Sequence, residues 1–363
     1  MTRTGAARVR RRSASNEWVW TAVRWLLALA VMAVAGWVLA RDLEWRAVKL
    51  ALVKARYPWV LLALAAIVGT FFSRTWRWRV LLGSERVGFW PTQTALLVGQ
   101  AVNTGVPMLR SGDVTRALWI NRLHSVPLSR ALTSIALEKV WDLLALCATG
   151  LMLIIWVPLP EWFVQSTWGS LVMVGFGLTA LYLLVRWRRG LRVLASWVTR
   201  WLPGQADRWV LPRVDNLLSA LASMRRPDVM IGVGAYTALT WSLGGMANWA
   251  VMRAFGVNSI DGAVFLLAAL MLGSAVVPTP GRIGVFEGIC VAGLTLFGVS
   301  ADLGLAIGLV LHLVVLVPAL LMAGVLALFS LRVGRSHGVP IPSADGDASV
   351  QSSVLPEVVE YHE

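Results

Sequence analysis

The chain reads as an all-α polytopic transmembrane helix bundle, on three observations. Of its 363 residues, 57% are hydrophobic and only 14% are charged, whereas a soluble domain carries about 25% charged residues. The apolar residues gather in runs long enough to cross a hydrocarbon core about 30 Å thick, which takes roughly 20 helical residues. Arginine supplies nearly all of the net charge of +14, and the arginines sit beside those runs. The only two cysteines, Cys147 and Cys290, lie within apolar runs, where a small buried hydrophobe is expected rather than a disulfide or redox centre.

Taken in order, residues 1–17 form a basic arm (Arg3, Arg8, Arg10, Arg11, Arg12), and Trp18–Ala40 is the first apolar run. Ala33-Val34-Ala35 has the small residues of a signal-cleavage site. The run is long for a signal, however, and contains Trp18, Trp20 and Trp37, so an uncleaved span is expected. Arg41–Arg56 mixes charges with Leu43, Val48, Leu52 and Val53 and predicts an amphipathic helix lying in the interface. Clear spans follow at Tyr57–Ser73, Ala131–Val157, Phe163–Val185, Val229–Met252 and Leu303–Leu331. Thr92–Leu109, Gly262–Gly281 and Ile283–Ala301 are apolar but interrupted. The expectation is about 6–8 spans in one domain, residues 18–332, with two broken or re-entrant helix pairs. Residues 190–224, with Trp197, Trp201 and Trp209, predict a second interfacial segment. The polar, acidic tail at 333–363 is expected to be disordered.

Loop arginines orient such a bundle. Nine fall in Arg186–Arg226, four in Ser73–Arg86 and four in Arg110–Arg130, against one in Arg253–Asp261 and none in Pro158–Trp162. Alternating these loops across the spans puts both termini in the cytoplasm of a cell-membrane protein. The five basic residues of Arg41–Arg56 fall on the other side, which is why an interfacial helix is expected there. This placement favours anionic lipid headgroups as partners. Nucleic acid is not expected, because no soluble domain presents a basic face.

Zinc, phosphate-loop and serine-hydrolase motifs are missing from the sequence, and neither a metal nor a cofactor is expected. The candidates are polar and ionisable residues at membrane depth, which are costly there and mark function by default. Asn103, Pro107, Arg110, Gly112, Asp113 and Arg116 form the first set. Pro107 and Gly112 interrupt the helix, and Ser111 or Asp113 is placed to cap a new one bearing Arg116 in its first turn. The spacing fits equally a broken helix presenting two helix ends to a polar group and a plain loop after a span. Glu138 and Asp142, four apart on one helix face, form the second set. They need cations, and Arg110, Arg116 and Lys139 are the nearest along the chain; a structural ion-pair network and a headgroup site both fit. The third set is Pro278-Thr-Pro280-Gly281-Arg282-Ile-Gly284-Val-Phe-Glu287, whose breaks divide an apolar stretch at residues 262–301. Backbone freed there must face protein or a water-filled cavity, unless the break is a hairpin turn at the membrane surface. Val106-Pro107…Arg110…Gly112 and Val277-Pro278…Arg282…Gly284 read alike, which admits an inverted repeat. His312 stands alone in an uncharged span. It is expected to be neutral or to face a polar cavity, with a structural hydrogen bond ahead of proton coupling as its role.

At these sets the sequence resembles the transmembrane domain of lysylphosphatidylglycerol synthases, a flippase-like family. The resembling elements are Arg74-Thr-Trp-Arg77-Trp-Arg, Asn103…Pro107…Arg110-Ser-Gly112-Asp113…Arg116, Glu138…Asp142 and the Pro278–Glu287 motif, in the family's order across about residues 18–331. Arg282 stands where the family usually has a second glycine, Asp113 where Glu is frequent, and His312 near a position where Arg is common. The resemblance implies lipid handling, and with no aminoacyl-transferase segment in this sequence it implies no aminoacyl transfer. The expected function is binding and translocation of an anionic phospholipid or lipid-linked intermediate without covalent chemistry. Arg110, Arg116 and Arg282 would meet the phosphate, and Glu138, Asp142 and Glu287 would neutralise them in the empty site. The alternatives are a membrane-embedded transferase, with Glu138, Asp142 or Glu287 as base, or a scaffold subunit of a lipid-modifying pathway. A second copy of the chain or a lipid-modifying enzyme is the further partner this reading admits.

Overall fold

The computed structural model describes residues 45–83, 87–105, 111–124, 126–159, 163–172, 226–276 and 280–336, with residues 161, 175 and 197 singly. The first span at Trp18–Ala40, the interfacial segment at 190–224, the arm at 1–17, nearly all of the tail at 333–363, and Pro107, Arg110 and Pro278 lie outside the described residues. All regular structure within them is helical: α1 (Trp45–Lys54), α2 (Tyr57–Leu82), α3 (Phe89–Gly105), α4 (Ser111–His124), α5 (Leu128–Trp156), α6 (Pro227–Ala254), α7 (Ile260–Val276), α8 (Val285–Thr295) and α9 (Ala301–Ser336). Four of these, α2, α5, α6 and α9, are long and apolar enough to cross a membrane. Residues 163–172, the start of the predicted Phe163–Val185 span, are helical, and the Phe163 ring packs against Phe265 of α7 at 4.9 Å between centroids. The all-α bundle predicted from the sequence is borne out.

Two boundaries differ from the sequence reading in ways that matter. The α2 helix continues past Ser73 to Leu82, where Gly83 closes it with a left-handed φ of 58° and donates its N–H to Arg79 and Val80 carbonyls. The hydropathy drop at Arg74 is therefore a charged helix face and not a loop. The α5 helix begins at Leu128, so Glu138 lies about 15 Å along it at 1.5 Å per residue, deeper than predicted. The helix at Trp45–Lys54 docks Val48 against Leu305 and Ala306 of α9. Leu52 packs on the same side as Val48, while Val53, about 140° round the helix from Val48, is 68% exposed.

The α2 and α6 helices run antiparallel in close contact. Arg56 N–H bonds the Ala254 carbonyl at one end, the Trp59 and Trp249 rings meet at 5.3 Å, and Ser73 Oγ donates to the Tyr236 carbonyl at 2.9 Å. Outward faces keep large apolar side chains such as Ile155, Ile231 and Leu321 exposed, as a lipid solvent requires. The main core joins Trp78, Leu97, Ile120, Met252, Cys290, Ile307 and Leu311 across six helices. Both cysteines are buried and free, as the apolar reading predicts.

Between the long helices lie two pairs of short ones. In the α3–α4 pair, a Cβ on Gly99 would stand 2.6 Å from the Gly112 carbonyl oxygen, and one on Gly112 would overlap the Gly99 carbonyl oxygen. Backbone meets backbone there, as small residues allow in membranes. The cap of α4 differs from the prediction: Asn103 Oδ1, from the preceding helix, accepts the Gly112 N–H at 2.9 Å. In the α7–α8 pair the chain turns through a short 3₁₀ segment at Pro280–Arg282, with Gly281 at φ 63° and Gly284 at φ 84°. At 11 residues α8 is about 17 Å long, too short to cross the bilayer, so the apolar stretch at 262–301 is a broken helix pair and not two spans.

Gly112→Ala is expected to destabilise the protein by at least about 1–3 kcal/mol, since the added methyl must displace main chain. Gly324→Ala, which meets open space, is expected to leave the melting temperature within error. Thermal unfolding of the two variants in detergent makes the comparison, and equal melting temperatures would refute the backbone contact.

Candidate functional site

The second sequence set, Glu138 and Asp142 on α5, faces two helices at once. From α2, Arg77 places Nη1 2.7 Å from Asp142 Oδ1 and Nη2 3.3 Å from Glu138 Oε1. From α4, Arg116 places Nη1 3.0 Å from Glu138 Oε2. Arg77 and Glu138 have no exposed side-chain surface, and Arg116 has 3%. Arg77 also donates to Thr237 of α6 at 3.2 Å, so one guanidinium ties three helices. The Arg116 guanidinium lies 4.8 Å over the Trp78 ring, whose Nε1 donates to Ser134 on α5. This cation–π face fixes the plane of Arg116 and aims it at the carboxylate.

The network grades outward. Arg74 stands 3.8 Å from Glu138 and is 23% exposed, while Asp113 bridges Arg116 at 3.4 Å and Lys139 at 3.5 Å. Lys139, predicted to serve the carboxylates on its own helix, instead reaches Asp113 across the α4–α5 interface. Four cations (Arg74, Arg77, Arg116, Lys139) thus share three carboxylates (Asp113, Glu138, Asp142). Charge is close to balanced, but hydrogen bonding is not. Arg77 Nε, Arg116 Nη2 and both Glu138 oxygens find no partner of hydrogen-bond geometry among the described residues.

The third set forms a separate centre, to which α9 brings His312. Gly304 and Gly308 let α9 approach α8 at Val291 and Cys290, and one turn on His312 meets Glu287. The Nδ1···Oε1 distance is 2.6 Å, and Nε2 lies 2.8 Å from the Gly281 carbonyl oxygen in the break. The other Glu287 oxygen accepts the Gly284 N–H at 2.7 Å, so this carboxylate holds the start of its own helix. Phe286 stacks on the imidazole at 4.6 Å. Beside them opens a narrow pocket lined by Gln100 and Thr104 of α3, by Gly281, Arg282, Phe286 and His312, and by an apolar wall from α9. Arg282 adopts a left-handed φ of 60°, uncommon for a residue with a side chain, at the pocket's edge.

The predicted residues thus fall into two groups. Asp113, Arg116, Glu138 and Asp142 join one network; Arg282, Glu287 and His312 join the other centre; Asn103 holds the α3–α4 turn. Pro280, Gly281 and Gly284 lie in the second break, as predicted. The sequence reading missed Arg77 as a site residue. Its signal was the spacing Arg74, Arg77, Trp78, Leu81, one face of a helix continuing beyond Ser73.

A helical bundle with ion-paired charges sealed in its apolar interior, and two broken helix pairs, defines a polytopic membrane protein with polar chemistry at depth. The family described as the lysylphosphatidylglycerol synthase TM region matches residues 25–323, and the chain belongs to it. It is a membrane protein of a lipid-handling family, as the sequence motifs indicated. No curated protein matches the chain.

Removing one end of a buried ion pair strands the other, at about 3–5 kcal/mol, whereas removing both can be close to neutral. Arg77→Met is therefore expected to lower thermal stability strongly, and Arg77→Met with Asp142→Leu to recover much of the loss. Strictly additive losses in the double-mutant cycle would show that the two do not act as partners.

Proposed function

We propose that the protein binds an anionic phospholipid or lipid-linked intermediate by its headgroup and moves that headgroup across the bilayer while the acyl chains stay in lipid. The observation behind this reading is the buried network in which Arg74, Arg77, Arg116 and Lys139 share Asp113, Glu138 and Asp142, one cation in excess, with Arg77 Nε and Arg116 Nη2 lacking an acceptor among the described residues. A phosphate oxygen is the ligand that such donors favour. Pairing with carboxylates keeps the empty site from stranding charge, and exchange of carboxylate for phosphate keeps both states accessible. Partial exposure of Arg74, Asp113 and Lys139 gives the network an open edge by which a headgroup can enter. In this reading both termini are cytoplasmic, the membrane is the cell membrane, and a second copy of the chain or a lipid-modifying enzyme is a further partner.

Full-length protein in liposomes with fluorescent phosphatidylglycerol tests it. Bleaching of more than the outer-leaflet half of the dye by an impermeant reductant is expected, relative to protein-free vesicles. Arg116→Lys, which keeps the charge but loses the planar fork, is expected to slow the bleaching about tenfold, equivalent to one charge-assisted hydrogen bond. Bleaching no greater than in protein-free vesicles overturns translocation. A modified lipid product would then support the transferase, and neither outcome the scaffold.

A further inference from the structure

Orientation leaves the basic residues of Arg41–Arg56 unexplained, because the bias that collects arginine in cytoplasmic loops gives no reason for them on the other side. The fold gathers their described members, with one further cation, at a single end of the bundle. The Tyr57 hydroxyl closes the α1–α2 corner by donating to the Leu52 carbonyl at 3.2 Å, and the Arg56 N–H ties that corner to the end of α6 by donating to the Ala254 carbonyl at 2.8 Å. Phe255, just beyond α6, packs with Val48 and Leu52 of α1 against Leu305 and Ala306 of α9. Arg253 of α6 stands at this end, its guanidinium 5.4 Å over the Trp59 ring and 5.8 Å over the Trp249 ring. That guanidinium makes no hydrogen bond among the described residues, and its Nε is buried. Arg46, Lys49, Lys54 and Arg56 are exposed.

Among the described residues, none of these five cations has a carboxylate within ion-pair distance. The described acids on this face are Glu161 after α5, Asp261 in the first turn of α7 and Asp302 in the first turn of α9, so cations outnumber them. Arg77 lies about 30 Å along α2 from Tyr57 at 1.5 Å per residue, and the hydrocarbon core is about 30 Å thick. The five cations and the Arg77 network therefore stand at opposite faces of the membrane. Trp45 and Tyr57 are exposed at this level, where interfacial aromatics belong, and Leu50 and Val53 of α1 are exposed among its basic residues. A soluble anion matches the charge alone. A phospholipid matches both features, its phosphate meeting the cations and its acyl chains the apolar side chains.

We propose that this end of the bundle is a docking surface for anionic phospholipid headgroups, with Arg253 as the central phosphate contact. The exposed Arg46, Lys49, Lys54 and Arg56 supply the charge that draws the lipid there. The Trp59 and Trp249 rings hold the Arg253 guanidinium before lipid arrives, which lowers the ordering cost of binding. This surface is separate from the Arg77 network, and its occupancy does not require translocation.

The test titrates full-length protein in detergent with short-chain phosphatidylglycerol or with phosphatidylcholine of the same chains, and counts bound lipid by native mass spectrometry. Wild type is expected to bind the anionic lipid more tightly. Lys54→Gln with Arg56→Gln alters only exposed side chains and keeps the Arg56 N–H bond. It is expected to weaken phosphatidylglycerol binding about fivefold for each cation removed, the effect of one basic residue at an anionic surface, and to leave phosphatidylcholine binding unchanged. Arg253→Gln is expected to weaken phosphatidylglycerol binding at an unchanged lipid-free melting temperature; if it unfolds, the exposed double variant decides alone. Arg116→Lys, at the other face, should leave the dependence on Lys54 and Arg56 intact. Equal wild-type affinity for the two lipids overturns the docking surface. Phosphatidylglycerol binding that the double variant leaves unchanged also overturns it, and gives the cations to an acidic protein segment instead. Glycerol phosphate competing as well as phosphatidylglycerol overturns it in favour of a soluble anion. Translocation is read separately, from the bleaching of labelled lipid in liposomes, so the two readings fail independently.

Discussion

The rest of the bundle depends on the placement of one guanidinium. Arg77 is fully buried in a protein whose solvent is hydrocarbon, where an uncompensated charge is prohibitive. It is tolerated because α5 delivers Asp142 and Glu138 to it and α6 delivers Thr237. Those contacts set how α2, α5 and α6 sit against one another. Arg116 then closes the network from α4, held flat by the Trp78 ring. Apolar packing alone would allow these helices to slide, since lipid tails solvate leucine as well as a neighbouring helix does. Charge fixes the register.

The broken helix pairs answer a second constraint, the need to satisfy every backbone polar group away from water. Each pair does so with a side chain from a neighbouring stretch of helix. Asn103 of α3 accepts the Gly112 N–H, and Glu287 accepts the Gly284 N–H while His312 of α9 donates to the Gly281 carbonyl. The second arrangement uses ionisable groups where amides would serve. The two pairs also meet, because the Gly281–Arg282 turn lies against Gln100 and Thr104 of α3 across the pocket. At the two breaks, polar chemistry therefore gathers where the short helices end, beside the long helices that carry the charged network.

Much of this was legible in the residues. Composition and run length determined the class of fold, because a hydrocarbon core accepts helices about 20 residues long and little else. The positions of the breaks followed from Pro, Gly and isolated charges, and Glu138, Asp142, Glu287 and His312 stood out because ionisable groups are rare at such depth. The four-residue spacing of Gly304, Gly308 and His312 also marked the face of α9 that approaches another helix, although nothing in it named α8 as the partner.

Which charge meets which was decided only by tertiary structure. Arg77 lies 61 and 65 residues from Glu138 and Asp142, and pairing over such distances is set by helix packing, which local periodicity does not encode. Lys139 sits next to Glu138 in sequence, yet it pairs with Asp113, because adjacent helix positions point in different directions and neighbours in space come from other helices. The same holds for His312, which takes its charge partner and its backbone acceptor from the α7–α8 pair 25 and 31 residues away. The sequence by itself determined that charges had to be paired inside the bundle, because hydrocarbon leaves no alternative. The folded arrangement chose the pairs, because ion pairing requires contact within a few ångströms and only the packing of helices supplies it.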